Sequence, residues 1–459
     1  MTHQKHTTMS EKKVYIIGIG GAGTSALAML YKKNGYEVSG SDDGDGFYHD
    51  RLSVEGIEVF KDFRSDHITE VYDFFVHSTA FDDTNIEVQA CKHEGFDIMS
   101  YPEAIGKLTE EFHTVAVCGT HGKTTTTGYA VNAFIGAGRD VSAIIGAPVI
   151  GWDSGARVGT GKELILEADE YQNKLAHYDP QAVILTSVDY DHPDFFPDDE
   201  SYKQVFRDFI VRIPQAGFLI AHYPDLEKLK IKNDLQCNII TYGEDQSSDA
   251  ILQSCTVTEN EQKVFFSYNN EVISFTTILP GKHNARNALA AWLMAYSVTK
   301  DGDGAAKGLA DYKGVARRFE RQKSINGAIC IDDYAHHPEE IRTTLATVKE
   351  LYPKKKLIAA FHPHTFTRTK ELLNDFARTL NIADEVIVLD IYGSAREVHG
   401  GVHATDLVEA INKGGIKKAL YTKEIEELAI YTKDTLTKND VFITLGAGDI
   451  YKVHDMCKV

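Results

Sequence analysis

A glycine-rich turn with one lysine, directly after a short apolar run, constrains the fold of this chain more than any other segment. Residues 114–118 (TVAVC) have the composition of a buried strand, and residues 119–126 (GTHGKTTT) follow at once. Glycines let backbone N–H groups approach phosphate oxygens closely, and the N-terminus of a following helix favours an anion. The arrangement therefore predicts a strand, a nucleotide phosphate loop and a helix, as in a parallel α/β sheet.

The phosphate loop also predicts what its side chains do. Lys123 would neutralise the outer phosphates, and the Thr124 hydroxyl would bind Mg²⁺. Val117 stands where the common G-x-x-x-x-G-K-S/T pattern has its first glycine, so the loop departs from that pattern. The predicted nucleotide-binding residues of the loop are Gly119, Thr120, His121, Gly122, Lys123, Thr124 and Thr125.

The composition indicates a large acidic enzyme and excludes some partners. A length of 459 residues suggests about three domains, and a formal net charge of −19 argues against a nucleic-acid partner. The N-terminal residues lack the apolar stretch of a signal peptide, and no run is long enough to span a membrane. The six cysteines are widely spaced, which is typical of a reducing compartment. We expect a cytoplasmic monomer or weak homodimer, with neither nucleic acid nor membrane as a partner.

Three blocks of alternating apolar runs and helix-like segments follow a polar tail. The tail comprises residues 1–13, and we expect it to be disordered; the blocks are residues 14–107, 108–314 and 315–459. Such alternation predicts α/β domains with mostly parallel sheets, Rossmann-like in the first and third blocks. The central block also has a stretch near residues 251–279 that favours a small antiparallel part with a turn at Asn269-Asn270. A helix over residues 284–298 follows, which Asn284 can cap, and the third block includes a helix predicted over residues 371–380.

A second glycine-rich turn lies near the start of the chain, at residues 18–23 (GIGGAG). Together with Asp42, nineteen residues after Gly23, it satisfies the dinucleotide-binding fingerprint, in which a pyrophosphate lies at a helix N-terminus and the acid contacts a ribose hydroxyl. A diphosphate site is therefore predicted, and a nicotinamide enzyme or sensor is one protein class that would use it. The residues assigned to this site are Gly18, Gly20, Gly21, Gly23, Asp42 and Ser78.

Two acidic segments follow apolar runs of the central block. Residues 167–171 (EADEY) come after one run and residues 189–194 (DYDHPD) after the next. Parallel strands bring such segments to the same edge of the sheet as the phosphate loop. Because Mg²⁺ prefers hard oxygen ligands, the sequence predicts a magnesium site there.

Several motifs together resemble those of the Mur ligase family. The match begins at the phosphate loop, whose sequence GTHGKTTTT resembles the ATP loop of that family. Further matching segments are residues 281–288 (GKHNARNA), 317–320 (RRFE), 332–338 (DDYAHHP), 361–369 (FHPHTFTRT), 392–397 (YGSARE) and 446–449 (GAGD). The resemblance covers nearly the whole chain from Val14. It implies an ATP-dependent ligase of bacterial cell-wall precursor synthesis, with a UDP-sugar on the N-terminal domain.

The resemblance also implies roles for individual residues. In the ATP site, Glu167 and His192 bind magnesium, Asn284 and Asn287 contact the nucleotide, and Arg318 reaches the γ-phosphate. In the C-terminal domain, Tyr334 and His336 lie beside an amino acid whose carboxylate Arg368 binds. The proton of the attacking amine has two candidate acceptors by position in the sequence, Asp332 and His336.

At two positions this chain has a different residue from the family pattern, and one of them indicates which branch of the family the chain resembles. Related ligases carry a carbamoylated lysine where this chain has Arg207, and its absence favours the alanine-adding branch. Many members have a second arginine at the place of Thr365, so pairing of the amino-acid carboxylate differs here. The implied reaction joins L-alanine to the lactyl carboxylate of UDP-N-acetylmuramate through an acyl phosphate.

Other functions are compatible with parts of the pattern. A recycling ligase would join a murein tripeptide to the same UDP-sugar, and a binding module would hold ATP without chemistry. The histidines at 336, 337, 362 and 364 could also form a zinc site, although nothing in their spacing defines its geometry.

Overall fold

A computed structural model describes residues 12–44, 47–152, 154–192, 195–393, 400–414 and 419–457. Residues 1–11 of the predicted tail lie outside these ranges, and the first strand already begins at Lys13. The chain divides into two compact units. One comprises the residues up to Ser254 with Val264–Thr276 and Arg286–Lys313, and the other comprises Cys255–Lys263, Thr277–Ala285 and the residues from Gly314 onward.

The first unit begins with a five-stranded sheet in the order β3-β2-β1-β4-β5, in which every neighbouring pair is parallel. Its elements are β1 (Lys13–Ile17), α1 (Ala22–Lys33), β2 (Glu37–Ser41), α2 (Phe47–Val54), β3 (Glu58–Phe60), β4 (Phe74–His77), α3 (Ile86–Glu94), β5 (Ile98–Ser100) and α4 (Tyr101–Glu111). This is the predicted Rossmann-like sheet, with its glycine turn between β1 and α1.

A ten-stranded sheet follows, in the order β15-β14-β13-β12-β11-β10-β6-β9-β7-β8. Its strands are β6 (His113–Cys118), β7 (Ser142–Val149), β8 (Ser154–Arg157), β9 (Glu163–Glu167), β10 (Ala182–Leu185), β11 (Phe218–His222), β12 (Asn238–Gly243), β13 (Ala250–Val257), β14 (Gln262–Tyr268) and β15 (Glu271–Thr277). The accompanying helices are α5 (Lys123–Gly136), α6 (Asp199–Ile210), α7 (Tyr223–Leu229), α8 (Lys282–Thr299) and α9 (Gly302–Asp311).

The predicted small antiparallel part is formed by β13, β14 and β15, which are neighbours in the sheet. Their connections are too short for a parallel crossover. The predicted turn at Asn269-Asn270 joins β14 to β15, and both asparagines have positive φ, 53° and 65°. Asparagine tolerates this conformation, which suits a two-residue hairpin.

The second unit contains a six-stranded sheet in the order β16-β17-β21-β18-β19-β20, parallel except for the pair β16–β17. Its elements are β16 (Glu320–Ile325), β17 (Ala328–Asp333), α10 (Pro338–Leu351), β18 (Lys356–Phe361), α11 (Phe366–Glu371), α12 (Leu373–Leu380), β19 (Glu385–Val388), α13 (Ala404–Gly414), β20 (Ala419–Tyr421), α14 (Ile425–Thr435), β21 (Asp440–Leu445) and α15 (Lys452–Met456). The three sheets confirm the predicted α/β fold class. Within the described ranges, no helix is both long and apolar enough to cross a membrane.

Parallel pairing aligns the strand ends that carry the predicted ATP site. Strand β6 pairs with β9, with Val117 opposite Glu167, and with β10, with Cys118 opposite Leu185. Because all three strands run in one direction, the phosphate loop and both acidic segments begin at the same edge of the sheet.

Helix α5, which begins at the phosphate loop, is held against α9 by glycines. A Cβ added to Gly308 of α9 would overlap the carbonyl oxygen of Asn132 on α5, and one added to Gly136 would lie 2.6 Å from the nitrogen of Gly308. Both contacts are with backbone atoms, which cannot turn aside as a side chain can.

We expect Gly308→Ala to lower the free energy of unfolding by about 3 kcal/mol, at the upper end of the usual cost of overpacking. Urea denaturation followed by circular dichroism measures this change. Lys307→Ala, at an exposed position of the same helix, is the control and should change stability by less than about 0.5 kcal/mol. Equal stability of the two variants would show that the helices separate at little cost.

Candidate active site

The predicted phosphate loop connects β6 to α5 through two glycines with positive φ. Gly119 has φ 132° and Gly122 has φ 82°. A Cβ on Gly119 would overlap the Thr186 hydroxyl, and one on Gly122 would lie 2.9 Å from Oδ1 of Asn287. The predicted nucleotide residue Asn287 therefore lies beside the loop, and only glycine fits at these two positions.

The ammonium group of Lys123 folds back over the loop. It donates hydrogen bonds to the carbonyl oxygens of Gly119 (2.6 Å) and Thr120 (3.2 Å) and to Oε2 of Glu170 (2.8 Å). Burial opposes its charge, but the carboxylates of Glu170 and Asp169 outweigh burial and raise the pKa of Lys123 above its usual range. Lys123 is therefore charged and held at the place where the sequence predicts phosphate.

Two of the predicted magnesium ligands lie side by side. The Thr124 hydroxyl donates to Oε1 of Glu167 (2.6 Å), and the N–H of Gly146 donates to Oε2 (2.6 Å). Among the described residues there is no group of three or more His, Cys, Asp or Glu side chains able to hold a metal by themselves. One hydroxyl and one carboxylate at a phosphate loop nevertheless fit Mg²⁺, which completes its octahedron with water and phosphate oxygens. Because no such group is found among the described residues, the structure provides no support for a zinc site at the histidines 336, 337, 362 and 364.

His192, the third predicted ligand, lies against Glu170. Its Nε2 is 3.9 Å from Oε1 of Glu170 and 4.0 Å from Oδ2 of Asp191, and its ring centroid is 4.6 Å from that of Tyr171. His192 also has φ 57°, an uncommon conformation for a residue other than glycine. Such local strain is often found at binding sites. The neighbouring residues 193–194 of the acidic segment lie outside the described ranges.

Glu170 and Tyr202 are parts of the site that the sequence prediction did not assign. The Glu170 side chain is 1% exposed and accepts a hydrogen bond from the Tyr202 hydroxyl (3.0 Å) in addition to that from Lys123. Glu170 belongs to the predicted acidic segment, so its position could have been noticed. Tyr202 lies on α6 among buried aromatic residues, and the sequence pattern there indicates only core packing.

The residues assigned to the diphosphate site converge on the turn between β1 and α1. A Cβ on Gly18 would lie 2.9 Å from Cβ of Ser78, and Gly20 N–H donates to Oδ2 of Asp42 (2.9 Å). Oδ1 of Asp42 accepts from Gly44 N–H (3.0 Å) and lies 3.2 Å from Nε2 of His49. The Asp42 carboxylate thus accepts a hydrogen bond from the glycine turn itself, and its contact with a ribose hydroxyl stays a prediction.

Tyr101 is a third residue that the sequence prediction did not assign. It is the first residue of α4, and a Cβ on Gly23 would lie 2.8 Å from its hydroxyl. Burial raises its pKa, and the charges of Glu167 and Asp169 raise it further. The phenol of Tyr101 therefore stays protonated beside the glycine turn of the diphosphate site.

Helix α8 begins at Lys282, two residues before the predicted start. Asn284 is therefore inside the first turn, and its side-chain amide donates to the Pro280 carbonyl (2.8 Å). The prediction that Asn284 caps the helix is wrong, because a cap accepts from the helix N–H groups from a position before the helix.

The two adjacent arginines of the RRFE segment have different environments. Arg317 donates to Oδ2 of Asp332 (3.0 Å) and to the Gly446 carbonyl (2.6 Å), and its guanidinium lies 4.5 Å from the Tyr451 ring centroid. The guanidinium of Arg318 lies over the ring of Tyr334, 5.0 Å from the centroid, and that of Arg317 lies 5.1 Å from the same centroid. Arg317 is thus paired with Asp332, and both arginines place a positive charge beside Tyr334, one of the predicted amino-acid residues.

Asp332 is completely paired within the same unit. Besides the bond from Arg317, its Oδ1 accepts from the Thr444 hydroxyl (2.6 Å), and the residue is fully buried. A carboxylate with both oxygens occupied in this way orients Arg317 and is poorly placed to accept a proton from a substrate.

Two of the predicted amino-acid residues, Tyr334 and His336, are close together on the second unit. The rings of Tyr334 and His336 have centroids 5.3 Å apart, and that of His364 is 6.0 Å from His336. Burial lowers the pKa of His336 to about 4, and the positive charge of Arg368 contributes to this shift. His336 is therefore neutral at neutral pH, and because its Nδ1 lies 3.0 Å from the Tyr334 carbonyl, Nδ1 carries the proton.

The two residues that differ from the family pattern, Arg207 and Thr365, both form hydrogen bonds within the protein. Arg207 donates to the Leu229 carbonyl (2.8 Å) and pairs with Glu200 (2.5 Å), so it joins α6 to the last residue of α7. Thr365 caps α11 by accepting from Arg368 N–H (3.4 Å), with φ 68°. Residues 394–397 of the matching YGSARE segment lie outside the described ranges.

Comparison with known proteins agrees with this arrangement over nearly the whole chain. Residues 13–113 match the model of the Mur ligase family catalytic domain, residues 117–295 the Mur ligase middle domain, and residues 317–448 the Mur ligase glutamate ligase domain. A UDP-N-acetylmuramate–L-alanine ligase of Caldanaerobacter subterraneus is 35% identical over 96% of this chain and 96% of its own. The enzyme of that name from Clostridium perfringens is 33% identical over 97% of each chain.

Solved structures show the same architecture. The UDP-N-acetylmuramate–alanine ligase of Thermotoga maritima aligns with a TM-score of 0.83 and 26% identity, covering 96% of this chain and 97% of that one. A murein peptide ligase of Psychrobacter arcticus has the same fold, with a TM-score of 0.71 and 23% identity over 97% and 98% of the two chains. With an identity of 35% over nearly its full length and three matching domain models, this chain belongs to the Mur ligase family.

Proposed function

We propose that this protein is an ATP-dependent ligase that joins L-alanine to the lactyl carboxylate of UDP-N-acetylmuramate, releasing ADP and phosphate. The observation that carries the activity is the phosphate loop, with the charged Lys123 above it and the Thr124 hydroxyl bonded to Glu167. A nicotinamide enzyme using the first glycine turn would not need this second loop, and a binding module without chemistry would not need the additional carboxylates.

The choice of L-alanine is supported by the relatives. Those with 33–35% identity over nearly the full length are named as alanine ligases. The murein peptide ligase is more distant, at 23% identity, and its likeness concerns the fold. The recycling alternative is therefore the less supported of the two.

Each of the three predicted blocks has one substrate in this proposal. Residues 14–107 bind the UDP-sugar, residues 108–314 bind ATP, and residues 315–459 bind the amino acid. The glycine turn with Ser78 supports the first assignment, Lys123 supports the second, and the cluster around His336 supports the third.

The first step converts a poor electrophile into a reactive one. A lactyl carboxylate oxygen attacks the γ-phosphorus of ATP, the bond to the bridging oxygen of ADP breaks, and an acyl phosphate forms. Lys123 and Arg318 carry the positive charges that we assign to the transferring phosphoryl group. Thr124, Glu167 and His192 would hold magnesium, which when bound would neutralise charge on the phosphate oxygens.

In the second step the amine of L-alanine attacks the acyl carbon, phosphate leaves, and the new amide nitrogen loses a proton. His336 is the preferred acceptor of that proton, because its ring is neutral at neutral pH and its Nδ1 already donates to a carbonyl. Its Nε2 then has the lone pair. Asp332 is assigned to holding Arg317, since both of its oxygens are occupied.

Release of ADP by the purified protein tests the proposal. With ATP, Mg²⁺ and UDP-N-acetylmuramate present, we expect ADP to form with L-alanine and to form much more slowly with the murein tripeptide. Faster turnover with the tripeptide would favour the recycling ligase, and ADP formation with neither would reject both.

We expect His192→Ala to raise the Mg²⁺ concentration that gives half-maximal activity by about tenfold or more. The binding of UDP-N-acetylmuramate, measured by calorimetry without ATP, should change much less, because the diphosphate turn does not involve this histidine. His93→Ala, at a histidine whose side chain is 84% exposed, is the control. A metal titration identical to that of the wild type would assign His192 a structural role.

A further inference from the structure

His49 of α2 is a buried histidine beside the glycine turn of the diphosphate site. Its side chain is 8% exposed, and a Cβ on Gly20 would lie 2.4 Å from its Nε2. The same Cβ would lie 2.9 Å from Oδ2 of Asp42. The His49 ring and the Asp42 carboxylate therefore both pack closely against the turn at which the sequence predicts a diphosphate.

The contacts of His49 define which of its ring nitrogens carries the proton. Nδ1 lies 3.4 Å from the Lys61 ammonium, and Nε2 lies 3.2 Å from Oδ1 of Asp42. An ammonium group can only donate and an ionised carboxylate can only accept, so Nδ1 accepts and the Nε2–H donates. His49 thus connects the positive charge of Lys61 to the negative charge of Asp42, and both of its nitrogens fix the orientation of the ring.

The Asp42 carboxylate has one acceptor position left for a ligand. An ionised carboxylate has about four lone pairs. Oδ1 accepts from the Gly44 N–H (3.0 Å) and from His49, and Oδ2 accepts from the Gly20 N–H (2.9 Å). Within the described ranges these are the donors to Asp42, so the second lone pair of Oδ2 remains. That oxygen is the one bonded to the glycine turn.

We propose that His49 is a positioning residue of the UDP-sugar site, which holds the Asp42 carboxylate in the orientation that binds the uridine part of the ligand. This inference rests on the proposed function for the identity of the ligand. Without His49, Oδ1 keeps only the Gly44 N–H, and the carboxylate can rotate about its Cβ–Cγ bond and move Oδ2 from the turn. Lys61 contributes through His49, because its charge offsets that of Asp42 beside a diphosphate that is also negative.

Calorimetric titration of the full-length protein with UDP-N-acetylmuramate, without ATP, tests this inference. We expect His49→Ala to raise the dissociation constant about tenfold, which corresponds to the loss of about one hydrogen bond. In His49→Gln the amide nitrogen can reach the position of the ring Nε2 and donate to Asp42, so we expect affinity within about threefold of the wild type. A dissociation constant for His49→Ala equal to that of the wild type would overturn the inference.

A double-mutant cycle shows whether His49 acts through Asp42. Asp42→Ala removes the carboxylate that His49 positions, so adding His49→Ala to it should weaken binding by less than about twofold further. If the two substitutions together instead weaken binding by the product of their separate effects, His49 contributes independently of Asp42 and the inference is wrong.

ATP binding and an exposed histidine provide the controls. ATP is assigned to the phosphate loop of the central block, so its dissociation constant should be the same in His49→Ala and the wild type. His93→Ala, at a histidine of α3 whose side chain is 84% exposed, should not change the affinity for UDP-N-acetylmuramate. An equal loss of affinity for UDP-N-acetylmuramate and ATP in His49→Ala would assign His49 to stability alone and overturn the inference.

These titrations separate the inference from the proposed function. They need neither amino acid nor turnover, so a contrast between His49→Ala and the wild type would stand even if the ligase assay gave no product. Conversely, an active ligase in which His49→Ala binds UDP-N-acetylmuramate as tightly as the wild type would leave the proposed function intact and remove His49 from it.

Discussion

Lys123→Ala is expected to lower kcat for ADP formation by about a thousandfold, to the limit of detection. The side chain supplies the positive charge that lies directly on the phosphate loop, and loss of one such group in a preorganised site costs about two to three powers of ten. A coupled assay for ADP at saturating ATP, UDP-N-acetylmuramate and L-alanine measures the change.

In the structure, Lys123 also contributes to stability, so Lys123→Ala has a second expected effect. Lys123→Ala leaves the buried Glu170 carboxylate without its partner, which should lower stability as well as activity. The double variant Lys123→Ala/Glu170→Gln removes both charges, and we expect it to regain stability in a urea titration and to stay inactive. Turnover near the wild-type level in either variant would exclude Lys123 from phosphoryl transfer.

Arg368→Ala is expected to raise the KM for L-alanine by about ten- to a hundredfold. One charge-assisted hydrogen bond to a carboxylate is worth about 1.5–3 kcal/mol, which corresponds to this range. The KM values for ATP and UDP-N-acetylmuramate should change much less, because those substrates are assigned to residues 14–314. Arg368→Lys should recover only part of the loss, since an ammonium cannot bind both oxygens of a carboxylate as a guanidinium does.

The KM values for ATP, UDP-N-acetylmuramate and L-alanine, measured for the wild type and for each Arg368 variant, test this prediction. Arg378→Ala is a matched control, because this arginine of α12 has a side chain that is 79% exposed and pairs only with Asp375 among the contacts of the described residues. A KM for L-alanine equal to that of the wild type, or an equal defect for all three substrates, would assign Arg368 a structural role and leave the amino-acid pocket unlocated.

Local patterns predicted the fold well where neighbouring residues in the chain decide the structure. The strand before the phosphate loop and the asparagine turn between β14 and β15 were both predicted. The helix predicted over residues 371–380 is in fact two, because α11 begins at Phe366 and ends at Glu371 and α12 begins at Leu373. Apolar periodicity continues across such a break, so the pattern alone does not reveal it.

Sequence by itself determined the family, the order of the elements and the residues of the phosphate loop, because these depend on patterns that are contiguous in the chain. Tertiary structure alone decided which charges meet. Glu170 lies 47 positions from Lys123, and Tyr202 lies 32 from Glu170, yet they form one buried network. Likewise, Asp332 is occupied by Arg317 and Thr444, which favours His336 as the proton acceptor. Pairing of strands that are distant in the chain produces these contacts, and no local pattern encodes the partner of a buried charge.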